Sequence, residues 1–301
     1  MSRALGQDAR GTLASIGSSV AFGGIYFLTP LLSPAPAESI WAVRNIITIP
    51  IIALALVMAR QWHLFGDVAR LMRRKPWVIL GVLVCGAIIA AQLWVFAWAP
   101  LNGQGLQVAL GYFLLPLVLV LVGRFAFKDK LAWWQWAAAA VAAAGVAFEI
   151  VRVGEISWET LLVAIGYPIY FTLRRVIGTG HLGGMLWEFI VLIPLAVVLL
   201  VFELSSGTAL AVNPALAWSV PVYSACAAGA LVLYIMASRL LTMSVFGLLS
   251  YLEPALLMIA ALLIGERIID LEWGIYLAVW VAVFTILGGG ISQMVRARRP
   301  R

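Results

Sequence analysis

Long apolar runs separated by short polar connections dominate the chain, and the runs have the length that a bilayer demands. A helix crossing the hydrocarbon core needs about 20 mainly apolar residues, whereas a surface helix of a soluble domain shows a polar face within that distance. Ten runs qualify, at 12–32, 39–59, 77–99, 106–125, 133–152, 159–177, 183–203, 217–238, 243–265 and 271–291. They predict an all-α polytopic membrane protein with ten transmembrane helices and little mass outside the membrane. The first run follows Arg3 and Arg10 and precedes Ala35-Pro36-Ala37, which imitates a signal peptide with its cleavage site. Its apolar region is longer than the usual 7 to 15 residues, so a retained span is expected.

Composition agrees: of 301 residues 64% are apolar and 11% charged, against about 45–50% and about 25% in soluble domains. The net charge of +7 becomes informative only through its location. If the N-terminus is cytoplasmic, seventeen of the twenty basic residues fall in cytoplasmic segments, with only Arg152 and Arg267 outside and Arg44 within a span. Basic residues concentrate on the cytoplasmic side of membrane proteins, so both termini are expected inside, and the charge reads as topology and contact with anionic lipid rather than nucleic-acid binding.

Several chemistries drop out. The three lysines, Lys75, Lys128 and Lys130, sit in no GxxxxGK[ST] loop, so no nucleotide cradle is expected. Cys85 and Cys226 lie in apolar runs and His63 and His181 in polar connections, so neither a metal site nor any other cofactor is implied, and the cysteines read as small packing residues. An enzyme is not expected.

A long-range repeat organises the ten runs. Asp129-Lys130-Leu131-Ala132-Trp133-Trp134-Gln135-Trp136 aligns with Glu266-Arg267-Ile268-Ile269-Asp270-Leu271-Glu272-Trp273 at an offset of 137. Tyr112 to Pro116 corresponds, with one residue of slippage, to Tyr251 to Pro254, and Arg44 precedes Pro50 by six residues as Glu188 precedes Pro194. The chain therefore reads as two five-span units, residues 1–153 and 154–301. Five is odd, so the second unit enters the membrane from the opposite side, which is the inverted repeat of many secondary transporters.

Tyr251-Leu252-Glu253-Pro254-Ala255-Leu256 through Gly265-Glu266-Arg267 resembles the Glu-Pro and Gly-Glu-Arg motifs of EamA-domain members of the drug/metabolite transporter superfamily. Gly111-Tyr112-Phe113 with Pro116, Phe96-Ala97-Trp98-Ala99, Pro36-Ala37-Glu38 leading to Arg44, and Gly184-Met185-Leu186 with Glu188 are similar to the RarD subgroup, often labelled chloramphenicol-sensitivity proteins. The resemblance covers both halves and implies ten helices, an inner-membrane location and export of small metabolites. The departures fall among the ionisable groups: Val43, Pro30 and Gln107 stand where the subgroup has a His, a Lys and an acidic residue, and Glu253 where it often has Gly.

Ionisable groups at depth cost about 3 kcal/mol or more to insert, which makes each a candidate site residue. With a rise of 1.5 Å per residue, Arg44 lies about 7.5 Å below the outer face, and Gln92 and Tyr112 lie near about 10 Å. Glu188, Tyr170, Tyr234 and Tyr251 fall about 6 to 12 Å from the inner face, and Glu253 near the middle. Arg44 and Glu188 are then too far apart in depth for a direct salt bridge. Arg44 suits an anionic substrate group, the structural alternative being a bond to helix-end carbonyls, and Glu188 binds substrate or protons unless it is paired with Arg174. Glu253, with no evident basic partner, is the candidate for proton coupling, the alternative being a neutral acid bonded to a neighbouring helix. Tyr167, Tyr170 and Arg174 share a helical stripe, read as a cavity wall. Pro116 and Pro254 each remove a helical donor in mid-span and serve as hinges. Most tryptophans, Trp41 among them, lie near span ends, as an interfacial belt requires.

The expected function is secondary transport: export of small polar, zwitterionic or amphipathic metabolites, amino-acid-like or amino-acid-derived and extending to a metallophore or drug, by proton-coupled alternating access. The expected partners are a small-molecule substrate and the lipid bilayer, and the Ala-rich fifth span permits close helix contact within one chain or across a homodimer. A passive channel or uniporter for a neutral solute, and a membrane enzyme or lipid flippase, are the alternatives.

Overall fold

A computed structural model gives the architecture and describes residues 2–128, 133–153, 156–241 and 249–268, with single positions at 246 and between 273 and 288. Among these residues the regular structure is helical: α1 Ser2–Leu28, a short 3-10 turn Thr29–Leu32, α2 Ala37–Met58, α3 His63–Arg74, α4 Trp77–Leu101, α5 Gly105–Phe127, α6 Trp133–Val153, α7 Trp158–Ile177, α8 Leu182–Val191, α9 Ile193–Ser206, α10 Thr208–Val212, α11 Leu216–Leu240 and α12 Leu252–Ile264. Six segments within α1, α2, α4, α5, α7 and α11 are long and apolar enough to cross a membrane, and α8 with α9 makes a seventh if read as one broken span. Shorter apolar helices occupy Trp136–Phe148, Leu252–Ile264 and Tyr276–Thr285. The protein is thus a multi-pass membrane protein.

Helix ends follow local chemistry. Ser157 caps α7, its hydroxyl accepting from the Thr160 N–H at 3.3 Å, and His181 Nδ1 caps α8 by accepting from the Gly184 N–H. Such caps satisfy amide donors that the first turn leaves free. At the other end α12 stops at Gly265, whose φ of +109° only glycine adopts without strain.

Three elements differ from the sequence reading. The connection after the second span carries α3, a 12-residue helix with Arg73 and Arg74 in its last turn. Phe65 of α3 stacks on Trp187 of α8 with ring centroids 4.7 Å apart, and the Trp187 indole N–H donates to the Phe65 carbonyl at 3.0 Å. A run of 12 residues with an apolar face is too short to span a bilayer, so run length alone does not distinguish it from a polar connection. The predicted seventh span, 183–203, bends by 46° between α8 and α9, where Pro194 starts the second piece. In the predicted ninth span, Ser250 and Tyr251 form a turn directly before α12, so Glu253 lies in the first turn of a 13-residue helix.

Packing places the site. α1 lies against α11 and α12, α2 against α11, and α5 against α7 and α12. The largest buried cluster, with Tyr26, Phe96, Phe113 and Leu257, joins helices from early and late in the chain. Outward-facing positions such as Leu54, Met58, Val198 and Phe202 are exposed and apolar, as a lipid face requires.

Candidate functional site

Arg44 projects from α2 into this core and is only 4% exposed. Its guanidinium lies 5.4 Å from the Phe96 ring centroid, and Nη1 has no hydrogen-bond partner among the described residues. A buried cation gains from an aromatic face, but the ring leaves its N–H donors unspent. Glu253 of α12, Tyr112 of α5, Tyr167 of α7 and Tyr223 of α11 all lie within electrostatic range of Arg44. Tyr112 and Tyr167 join their hydroxyls at 3.0 Å. Beside them Gln92 is fully buried and donates to the Leu162 carbonyl at 2.6 Å, while its Oε1 is unpartnered. Gly166 of α7 makes room for this amide, since a Cβ there would sit 2.1 Å from Gln92 Nε2 and push it aside.

These groups form a buried polar cluster, hereafter the central chamber, contributed by α2, α4, α5, α7, α11 and α12. Tyr234 faces it from α11, within range of Glu253, and packs against Phe246 with centroids 5.0 Å apart. Glu253 therefore does have a cation in its surroundings, Arg44, which its position in the sequence hides. Tyr251 is buried just before α12 with its hydroxyl unpartnered.

A second cluster holds Glu188. Its carboxylate accepts from Tyr170 at 2.7 Å and pairs with Arg174 Nε at 2.9 Å, all three residues being at least nine-tenths buried. Arg174 also donates to the carbonyls of Thr179 and His181 and stacks over the Tyr170 ring. The shared stripe of Tyr167 and Tyr170 is thus divided between two clusters, with Phe171 packed against both rings. Glu188 and Arg44 are not paired with each other.

The prolines differ in setting. Pro116 sits inside the continuous α5, whereas Pro254 is the third residue of α12, where its missing N–H removes no helical bond. Trp41, near the start of α2, is 3% exposed and packs with Ala42 and Ala196.

Sequence reasoning missed Tyr223 and Gly166, as well as the role of the Gly-Glu-Arg stretch. Glu266 accepts from the Gly105 and Leu106 N–H groups at 2.7 Å each, so a carboxylate from the second half caps α5 in the first. Burial raises its carboxyl above the ordinary range, with the two amide donors pulling it back. Among the described residues no group of His, Cys, Asp or Glu could hold a metal ion.

An apolar helical exterior around a buried, tyrosine-lined polar cluster, in which Arg44 Nη1 is without a partner among the described residues, is compatible with a polytopic membrane transporter. No family model matches the chain. An uncharacterized transporter of Pasteurella multocida is 32% identical over 95% of this chain and 98% of its own. The chloramphenicol-sensitive protein RarD of Pseudomonas aeruginosa is 35% identical over 98% of both, and an uncharacterized transporter of Haemophilus influenzae is 30% identical over 94% of this chain. The chain belongs to the RarD family of drug/metabolite transporters, and it is a transporter rather than an enzyme.

Proposed function

We propose that the protein exports small zwitterionic or amphipathic metabolites, of amino-acid-like chemistry, across a bacterial inner membrane by proton-coupled alternating access. In this reading ten spans form two inverted five-helix repeats, residues 1–153 and 154–301, with both termini cytoplasmic. The observation that carries it is the central chamber, where Arg44 from the first half, with Nη1 unpartnered, shares its surroundings with Glu253 from the second. A substrate carboxylate would satisfy the guanidinium, and Glu253 would accept the amine or exchange a proton. Packing of α1 on α11 and α12, and of α5 on α12, supports two halves that move about a shared site. Pro116, inside α5, would supply compliance at its edge.

Counterflow of candidate compounds into proteoliposomes, with and without a pH gradient, tests this. Trans-stimulated uptake that saturates is expected, with Arg44→Gln abolishing substrate dependence and Glu253→Gln abolishing the response to pH. Flux that never saturates identifies a passive channel, and pH-driven accumulation by Glu253→Gln removes the coupling role.

A further inference from the structure

Away from the chamber, a cleft of about 200 Å³ opens sideways between α2, α4 and α9. Its walls are Ala90 and Ala91 of α4 and Leu195 and Leu199 of α9, with Glu38, Trp41 and Trp94 at the polar end. The flank beside it is apolar and outward-facing, with Leu195 50%, Val198 64% and Phe202 75% exposed. A lateral opening on such a flank meets lipid.

Two polar features make the cleft selective. Glu38 is exposed and held by the Trp94 indole N–H at 2.9 Å, and no cation pairs with it among the described residues. Trp41, 3% exposed, has its Nε1 donor unpartnered. The cleft therefore offers a carboxylate for a cation, indole faces that attract the same cation, one buried donor for an oxygen, and an apolar floor for a chain. Trp41 packs there with Ala42 and Ala196, the three at 3, 0 and 0% exposed. None of its lining residues belongs to the cluster around Arg44 and Glu253.

We propose that this cleft binds one phospholipid with an ammonium headgroup. The ammonium pairs with Glu38 beside Trp94, a phosphate or ester oxygen accepts from Trp41 Nε1, and an acyl chain lies on Leu195 and Leu199. An anionic glycerol headgroup brings no cation and sets its phosphate against the carboxylate.

Native mass spectrometry of the full-length protein, titrated with phosphatidylethanolamine or phosphatidylglycerol of equal acyl composition, tests the proposal. One phosphatidylethanolamine retained about three- to fivefold more tightly than phosphatidylglycerol is expected, the scale of a part-exposed ion pair. Glu38→Gln should erase that preference, and Trp41→Phe should weaken the ethanolamine lipid while leaving the order of the two lipids intact. Equal retention of both lipids, or an unchanged preference in Glu38→Gln with an unaltered unfolding midpoint, overturns the proposal. Displacement of the bound lipid by millimolar ethanolamine also overturns it, by identifying a site for a soluble cation.

Discussion

At the scale of single residues, burial sorts polar groups into those that are spent and those that are available. Glu188 and Arg174 are spent: an ion pair, a tyrosine and two carbonyls account for them. Arg44 Nη1, Gln92 Oε1 and the Tyr251 hydroxyl are available. The sequence identified the residue types, because an ionisable group at depth is conspicuous. It could not show which were satisfied, since Tyr170 and Tyr167 share a stripe yet bond in different clusters. Gly166 was illegible for a related reason, as a glycine in a helix acquires meaning only from what approaches it. Gly166→Ala should destabilise the protein by about 1–3 kcal/mol through overpacking against Gln92. Combining it with Gln92→Ala should be milder than the sum of the two single effects, because the clash is removed. Thermal unfolding in detergent of the three variants measures this, and strict additivity would show that Gln92 simply swings away.

At the scale of elements, apolar run length located most helices well, and it missed what lies between or within runs. The bend at Leu192 and the turn at Ser250–Tyr251 lie beside Pro194 and Pro254, but run length alone carries an apolar stretch straight through such prolines. The amphipathic α3 has the opposite character, too polar and too short to register as a span. The Glu266 cap ties α12 to α5, and its protonation has a definite sign. The folded protein holds this proton to a higher pH than the unfolded chain does. Glu266 therefore contributes most to stability below the ordinary carboxylate range, and that contribution is lost as pH rises through the raised value. Unfolding midpoints of the wild type relative to Glu266→Gln, followed from about pH 4 to about pH 8, should fall with rising pH. A flat difference would mean that the two amide bonds cancel the burial.

At the scale of the whole molecule, residues distant in sequence meet because helices from both halves interleave. Arg44 and Glu253 lie in one electrostatic neighbourhood although the sequence places them on different spans and at different depths. The sequence offered Glu253 no evident basic partner, because nothing in the order of the spans shows that α12 packs beside the residues around Arg44. Their coupling should be measurable without any substrate. Arg44→Gln and Glu253→Gln should each destabilise, and the double variant should be less destabilised than their sum by about 0.5–3 kcal/mol. Additive unfolding free energies would place the two groups in independent environments. The stacking of Phe65 on Trp187 has a further consequence for motion. Trp187 is the neighbour of Glu188, so the stack and the indole hydrogen bond link the α8 charge cluster to α3. In the alternating-access cycle proposed above, rearrangement at Glu188 would displace this short basic helix, and a spectroscopic label at the exposed Arg73 would report that movement.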